Sequence, residues 1–209
     1  MVYYRKKKKS STTKQLGDFR QYIDRSPFPL FKFVNFTYQA TFQLSSSTTS
    51  RIYGTSRDWN LNALYDVDAS IGGHQPYGYD QWLGATAPYQ RYKVYSVDLS
   101  IIFSDPSKDG LRCAAIITNP SSNFTLSAKD IEHVTEAPFS ATRIINNTGS
   151  QLQRISGRIP MHTVFQVSKD QFSNDLDTTT AGYGGSPGTI PKLQVAVADP
   201  ITDAAATRS

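Results

Sequence analysis

A cluster of basic residues near the start of the sequence is the clearest candidate for a binding site. Its members lie within ten positions of one another and are Arg5, Lys6, Lys7, Lys8, Lys9 and Lys14. Lysines neutralise phosphates and release counterions, and they do not select a base, because an ammonium group is a point charge. The neighbouring Tyr3 and Tyr4 could stack on unpaired bases. The cluster therefore predicts contact with the backbone of a single-stranded nucleic acid, together with nuclear import.

The net charge of the chain is concentrated at the same end. The first 32 residues hold nine basic and two acidic residues, a net charge of +7, whereas the remaining 177 residues sum to −2 and the whole chain to +5. A basic arm on a near-neutral body predicts that the arm contacts a polyanion while the body has another task. The alternative is a solvated tail that only aids solubility.

The rest of the sequence has no constellation typical of catalysis or of a metal site. The histidines are far apart, without the spacing of a zinc motif, at positions 74, 133 and 162. The acidic residues Asp175 and Asp177 lack the order of a calcium loop, so we expect a solvated loop there. The glycine-rich segment 182–188 has no following Lys-Ser/Thr, and no G-x-S-x-G occurs. We therefore predict no enzymatic activity, no cofactor and no metal.

A second group of candidate residues is aromatic. Tyrosine and tryptophan combine a large apolar area with a polar atom, which suits them to contacts between subunits. The residues expected at such a contact are Tyr77, Tyr79, Trp82 and Tyr89. The alternatives are packing in the core, a platform for stacking bases, and receptor binding.

The elements that must position these residues are expected to be strands. Residues 34–44 alternate apolar and polar side chains over eleven positions, which predicts a strand with one face on a core. Further strands are predicted over 59–65, 93–103, 111–118, 142–145, 158–167 and 192–198. Turn residues at 105–110 predict a hairpin between 93–103 and 111–118. Short helices are predicted within 79–89 and over 127–134.

Short strands, long loops and little helix predict an all-β fold, a sandwich or jelly roll. The long connections and the absence of a Cys…Trp…Cys spacing favour the jelly roll over an immunoglobulin sandwich. Seven strands are one fewer than a jelly roll has. The lone Cys113 is expected to be buried, and no apolar run is long enough to predict insertion into a membrane.

Several segments together resemble the capsid proteins of circular, Rep-encoding single-stranded DNA (CRESS) viruses, a circovirus-like group. The most specific part is GGHQPYGYDQW at 72–82, followed about ten residues later by Y-x-x-Y-x-V at 89–94. The segments VSKDQFSND at 167–175 and KLQVAVADP at 192–200 follow. The resemblance covers about residues 30–200.

The resemblance implies a fold and a function. The implied fold is a viral jelly roll of two packed antiparallel sheets, of the BIDG/CHEF type, formed by a shell domain over 29–209 that follows a basic arm over 1–28. The implied function is self-assembly into a small icosahedral shell around a circular single-stranded DNA genome, with the arm facing inward and carrying a nuclear localisation signal. The implied partners are other copies of the chain, the genome, the host nuclear import machinery and an unspecified host receptor. The implied locations are the virion and the host nucleus.

Two features depart from this family. The arm is short and lysine-rich where relatives often have long arginine-rich arms, so we do not expect it to condense a genome unaided. The family's last strand lies beyond the KLQVAVADP-like segment, and residues 199–209 show no alternation that could supply it. We hypothesise that the sequence is truncated before that strand.

Two other classes of protein fit the sequence less well. A non-capsid β-domain that binds single-stranded nucleic acid would need a basic face on a body whose net charge is −2. A cupin-type enzyme or lectin would need clustered histidine and glutamate ligands, and the only glutamates are Glu132 and Glu136. The capsid interpretation is therefore preferred, with the nucleic-acid-binding domain as the main alternative.

Overall fold

The structure is a computed structural model that describes residues 28–47, 51–104, 110–119, 124–145 and 152–199. The chain divides into two compact units, Met1–Asn35 and Phe36–Ser209. All candidate nucleic-acid contacts of the arm, from Tyr3 to Lys14, lie outside the described residues. The division into an arm over 1–28 and a shell domain over 29–209 stays a prediction.

The described residues confirm an all-β fold, because they form mainly strands with only short helices, and every pairing between named strands is antiparallel. The strands are β1 (Arg57–Asn60), β2 (Arg91–Lys93), β3 (Ser96–Phe103), β4 (Leu111–Thr118), β5 (Ser140–Ile145), β6 (Gln153–Pro160), β7 (Thr180–Gly182) and β8 (Lys192–Ala198). The described residues also form four short helices: α1 (Tyr79–Trp82), α2 (Ile131–Glu136), α3 (Met161–Val164) and α4 (Lys169–Asn174).

The strands form one four-stranded sheet, in the order β1-β8-β4-β5, and two pairs, β3-β6 and β2-β7. The first strand pairs with the last, since Arg57 lies opposite Val195 and Asn60 opposite Lys192. Such pairing between distant parts of the chain is typical of sandwiches and cannot be read from local turn signals.

The two central strands of the larger sheet are apolar on both faces because both faces are covered. Cys113 and Ala115 of β4 belong to a large core that also contains inward residues of β3 and β6. Their neighbours Ala114 and Ile116 pack on the opposite face against α2, in a smaller core completed by Val134. Side chains that alternate between two covered faces explain why these strands are largely apolar at consecutive positions.

The predicted hairpin between 93–103 and 111–118 is wrong. β3 pairs with β6, whereas β4 pairs with β5 and β8, so the two strands lie in different sheets. Residues 113–116 need burial on both sides, which a central position between two strands provides. β3 instead keeps Asp98 and Ser100 exposed on its outer face, as befits a half-buried strand.

Two predicted strands match the structure in both bounds, 111–118 and 192–198. The predicted strand 59–65 is wrong in its bounds, because the chain turns after Asn60, whose side chain donates to the carbonyl of Asp66 at 2.7 Å. The predicted strand 93–103 is broken at 94–95, where the carbonyl of Tyr95 accepts a hydrogen bond from the backbone of Met161 at 2.9 Å.

Three more predicted elements have shifted bounds. The strand predicted over 158–167 is β6, which ends at Pro160, and α3 follows directly. The strand predicted over 142–145 begins two residues earlier, at Ser140. The helix predicted over 127–134 is α2, which begins at Ile131, and the short helix predicted within 79–89 is α1.

The strand predicted over 34–44 shows the predicted alternation of half-buried and exposed side chains, but its backbone is not paired with a strand in the described structure. Side chains at even positions from 34 to 44 are half-buried, and those at odd positions are exposed. No residue of this stretch belongs to a sheet in the described structure. We call the part of it within the second unit, residues 36–44, the unpaired segment.

Candidate assembly interface

The loop that carries the predicted interface residues folds around a cluster of tyrosines. Tyr79 of α1 is only 2% exposed, and its ring centroid lies 6.3 Å from that of Tyr92 and 6.5 Å from that of Tyr65. Tyr92 sits on β2, which pairs with β7, so the cluster joins two parts of the chain distant in sequence. Tyr79 therefore belongs to the protein's own core, one of the alternatives open at the level of sequence.

Two buried hydroxyls of this cluster hold the glycine-rich loop 182–188. The backbone N–H of Gly184 donates to the Tyr79 hydroxyl at 3.2 Å, and the Tyr92 hydroxyl donates to the carbonyl of Gly185 at 2.9 Å. Burial raises the pKa of Tyr92 to about 12 and also raises the pKa of Tyr79. Both phenols therefore stay neutral at physiological pH and act as structural hydrogen-bonding groups.

The other predicted interface residues lie nearer the surface. Trp82 and Tyr89 are half-buried and stacked, with ring centroids 6.3 Å apart and an angle of 27° between the planes. Tyr77 is 89% exposed and lies on the rim of an open depression of about 440 Å³ lined by residues 73–81. A tyrosine side chain held this far into solvent is available to contact another molecule, so the interface prediction is retained for Tyr77.

Large apolar side chains are also exposed away from the tyrosines. In the second unit they include Ile102 on β3, Ile144 on β5 and Leu152 just before β6. In the first unit, the described residues expose Phe28, Leu30, Phe31 and Phe33. Single exposed apolar side chains are normal on protein surfaces, so these residues by themselves do not mark an interface.

A buried carboxylate that the sequence did not single out lies at the other end of the same loop. Asp68 is fully buried and accepts hydrogen bonds from Arg57 Nη2 at 2.8 Å, from the backbone N–H of Ser70 at 3.0 Å and from the Tyr38 hydroxyl at 3.3 Å. Burial alone would raise the pKa of Asp68, but the hydrogen bonds from Ser70 and Arg57 outweigh it and hold that pKa below its usual value. Nδ1 of His74 lies 3.1 Å from the same Tyr38 hydroxyl.

Lys93 of β2 is engaged within the chain and does not form part of a basic surface. Its ammonium group donates to the backbone carbonyls of Phe172 and Asp175 at the end of α4 and lies 4.3 Å from the centroid of the Phe172 ring. Desolvation lowers the pKa of Lys93. A cation that satisfies carbonyls at the C-terminal end of a helix is structural.

The acidic loop at Asp175 and Asp177, which was compared with a calcium site, is held by hydrogen bonds within the loop. Asp175 accepts hydrogen bonds from the backbone N–H groups of Asp177 and Thr178, each at 3.1 Å. Among the residues that the structure describes, no group of three or more His, Cys, Asp or Glu side chains is arranged to hold a metal ion. In the same residues, no helix has the length and apolar character needed to cross a membrane.

Comparison with protein-family models, with curated proteins and with solved structures finds no match to this chain.

Proposed function

We propose that the protein is a viral capsid subunit whose jelly-roll body self-assembles into a small icosahedral shell, with a lysine-rich arm that contacts a packaged circular single-stranded DNA genome. The observation that carries the proposal is the order of the strands. It is independent of the sequence motifs that first suggested this class of protein.

A viral jelly roll has eight strands, B to I, in two sheets with the orders B-I-D-G and C-H-E-F. If β1 is B, β4 is D, β5 is G and β8 is I, the four-stranded sheet β1-β8-β4-β5 has the order B-I-D-G. If β3 is C and β6 is H, the pair β3-β6 has the order C-H. The letters then run in the order of the chain, and all four neighbouring pairs are antiparallel.

With β8 as strand I, the strands without a counterpart among the described residues are E and F, where the chain between β4 and β5 forms α2. This assignment replaces the hypothesis that the last strand is the missing one. Within the described part of the chain, the β3-β6 pair has no third strand on either edge, although each strand is eight residues long. Its outer face also exposes Ile102. An open edge of this length associates with another strand unless the protein blocks it, so these features support a body that functions in an assembly.

The distribution of charge supports the role proposed for the arm. A body with a net charge of −2 has no general attraction for a polyanion, whereas the first 32 residues carry +7. Each lysine–phosphate contact on a single strand contributes about −0.7 to the slope of log K against log salt. Five to seven contacts give a slope of roughly −3.5 to −5, which means strong retention of DNA at low salt and release near 0.5 M.

Electron microscopy of the purified protein, with and without added circular single-stranded DNA, tests the proposal. We expect uniform small shells in which the DNA resists nuclease. The matched control replaces Lys6, Lys7, Lys8 and Lys9 by glutamine, which should leave shells that contain less DNA. Discrete DNA complexes without shells would favour the alternative, a non-capsid single-stranded nucleic-acid-binding domain, and a monomer that does not bind DNA would rule out both.

A further inference from the structure

The unpaired segment, residues 36–44, has the side-chain pattern of a strand and none of its backbone bonds. Within the described residues, no backbone N–H or C=O of the segment hydrogen-bonds to another backbone group. Its even-numbered side chains are nevertheless half-buried, so the backbone lies against the body rather than free in water. Backbone groups in such a position are ordinarily paired, and a row of unpaired ones is a template for another strand.

Side-chain contacts fix the segment to the body along its inner face. Phe42 packs against Trp59 of β1 with ring centroids 4.8 Å apart, and the Tyr38 hydroxyl donates to the buried carboxylate of Asp68 at 3.3 Å. At its C-terminal end the chain passes so close to Gly54 that a Cβ on that residue would collide with the carbonyl oxygen of Ser45. The segment therefore presents a positioned strand edge.

The edge lacks the devices that usually prevent strands from pairing. Proteins protect exposed edges with lysine, with proline or with bulges. Between Lys32 and Arg51 the sequence contains no charged residue and no proline. The exposed side chains of the segment are Thr37, Gln39, Thr41 and Gln43, which are uncharged, compatible with strands and able to form hydrogen bonds across a pair.

Residues 36–42 are nearly symmetric in sequence about Gln39, with Tyr38 and Ala40 as the one unlike pair. When two copies of one strand pair antiparallel about a two-fold axis at Gln39, residues equidistant from Gln39 lie opposite each other and on the same face. Phe36 then faces Phe42, and Thr37 faces Thr41. Gln39 faces its own copy, so the two amides can hydrogen-bond at the axis.

We propose that two copies of the chain associate through their unpaired segments, as an antiparallel strand pair with its two-fold axis at Gln39. A second copy suits the segment better than an unrelated strand because it places aromatic opposite aromatic and threonine opposite threonine without introducing a charge. The pairing also gives the unpaired backbone groups partners and joins two bodies into a closed dimer. This inference goes beyond the capsid proposal and stands on the segment alone, so either can fail without the other.

Disulfide trapping tests the register. Opposed residues in an antiparallel pair have Cβ atoms about 4.5–5.5 Å apart, close to the reach of a disulfide. With Gln39→Cys we expect a covalent dimer on mild oxidation, read by non-reducing electrophoresis. Thr37→Cys and Thr41→Cys should each cross-link poorly alone and efficiently when mixed. The native Cys113 is buried and does not compete. A Gln39→Cys protein that stays monomeric, or a Thr37→Cys protein that dimerises alone as readily, would overturn the proposal.

A charge placed at the axis tests the same contact without a covalent bond. Gln39→Lys sets two like charges directly opposite each other, and we expect the dissociation constant of the dimer, measured by sedimentation, to rise at least tenfold. Thr55→Lys is the matched control, because Thr55 is an exposed, uncharged residue outside the segment and outside the surfaces proposed for assembly. Circular dichroism establishes that both variants fold. An unchanged dissociation constant for Gln39→Lys, or a wild-type protein that is monomeric at micromolar concentration, would contradict the proposal, whether or not shells form.

Discussion

Arg57 Nη2 lies 2.8 Å from Oδ2 of Asp68, and the Asp68 side chain is completely buried. Asp68 follows the turn after β1, and through Tyr38 it also holds the unpaired segment. One carboxylate therefore fixes three parts of the chain relative to one another: β1, the loop at 68–74 and the segment. A buried charge with several donors is costly to leave with a missing partner.

Replacing Asp68 by asparagine should destabilise the fold by about 3 kcal/mol, because the Arg57 guanidinium loses its charged partner. Chemical denaturation monitored by tryptophan fluorescence measures the loss. Asp98→Asn is the matched control, since its contact with Arg158 is long, at 3.8 Å, and both side chains are exposed. The control should change the free energy of unfolding by less than about 1 kcal/mol. Equal losses in the two variants would contradict the structural role of Asp68.

Asp68 should also make stability depend on pH in the acid range. Its pKa in the folded protein lies below the ordinary value, so its contribution to stability is fully present above the unfolded pKa of about 4 and is lost as the pH falls through the folded pKa. The free energy of unfolding, measured from pH 7 to pH 2, should therefore fall more steeply for the wild type than for Asp68→Asn. Parallel curves would show that Asp68 does not titrate in this way.

The sequence predicts the bounds of some strands well, but it does not predict which strands pair when they lie far apart in the chain. The bounds of 111–118 and 192–198 are correct because both segments are largely apolar and are followed by turn residues. The position of β8 between β1 and β4 could not be predicted from the sequence. Strands far apart in the chain become neighbours because this arrangement buries both of their faces in the folded core, and no local sequence pattern indicates which strands will do so. For 36–44 the alternation correctly predicted which side chains face the core, but alternation says nothing about whether a neighbouring strand is present.

In the candidate site, the sequence also does not predict which single residues are buried and which are exposed. Tyr77 and Tyr79 stand two positions apart in one motif, yet one is 89% exposed and the other 2% exposed. The short helix α1 begins at Tyr79 and turns that side chain toward β2, while Tyr77 stays in the preceding loop. The sequence did not indicate that Asp68 is buried, because a single aspartate in a loop has the same local pattern as one that is exposed to solvent. Its burial depends on Arg57 and Tyr38, which arrive from elsewhere in the chain.

Removing the hydroxyl of Tyr79 should loosen the glycine-rich loop. In Tyr79→Phe the backbone N–H of Gly184 loses its acceptor, and because Gly184 is exposed and water can replace that acceptor, we expect a loss of only about 0.5–1.5 kcal/mol. Hydrogen exchange should then become faster at Gly184 and its neighbours. Tyr77→Phe is the control and should leave both stability and exchange unchanged. Unaltered exchange at Gly184 in Tyr79→Phe would mean that other contacts hold the loop.

Truncating Tyr77 should separate assembly from folding. The side chain is exposed, so Tyr77→Ala is expected to change the free energy of unfolding by less than about 0.5 kcal/mol. If Tyr77 contacts a neighbouring subunit, the concentration of protein required for assembly, followed by light scattering, should rise several-fold. Tyr183→Ala provides a comparison, because Tyr183 is also exposed and lies outside the motif. Equal effects of the two truncations would remove Tyr77 from the interface.

The lysine cluster should determine how binding of DNA depends on salt. Replacing Lys6, Lys7, Lys8 and Lys9 by glutamine removes up to four phosphate contacts, so the slope of log K against log salt should become less steep by about 2.8. Replacing the same residues by arginine keeps the charge and should leave the slope unchanged. Because the body has a net charge of −2, it cannot replace the lost attraction. If the glutamine variant keeps the original slope in fluorescence titrations, the contacts come from the body, and the nucleic-acid-binding domain becomes the better interpretation.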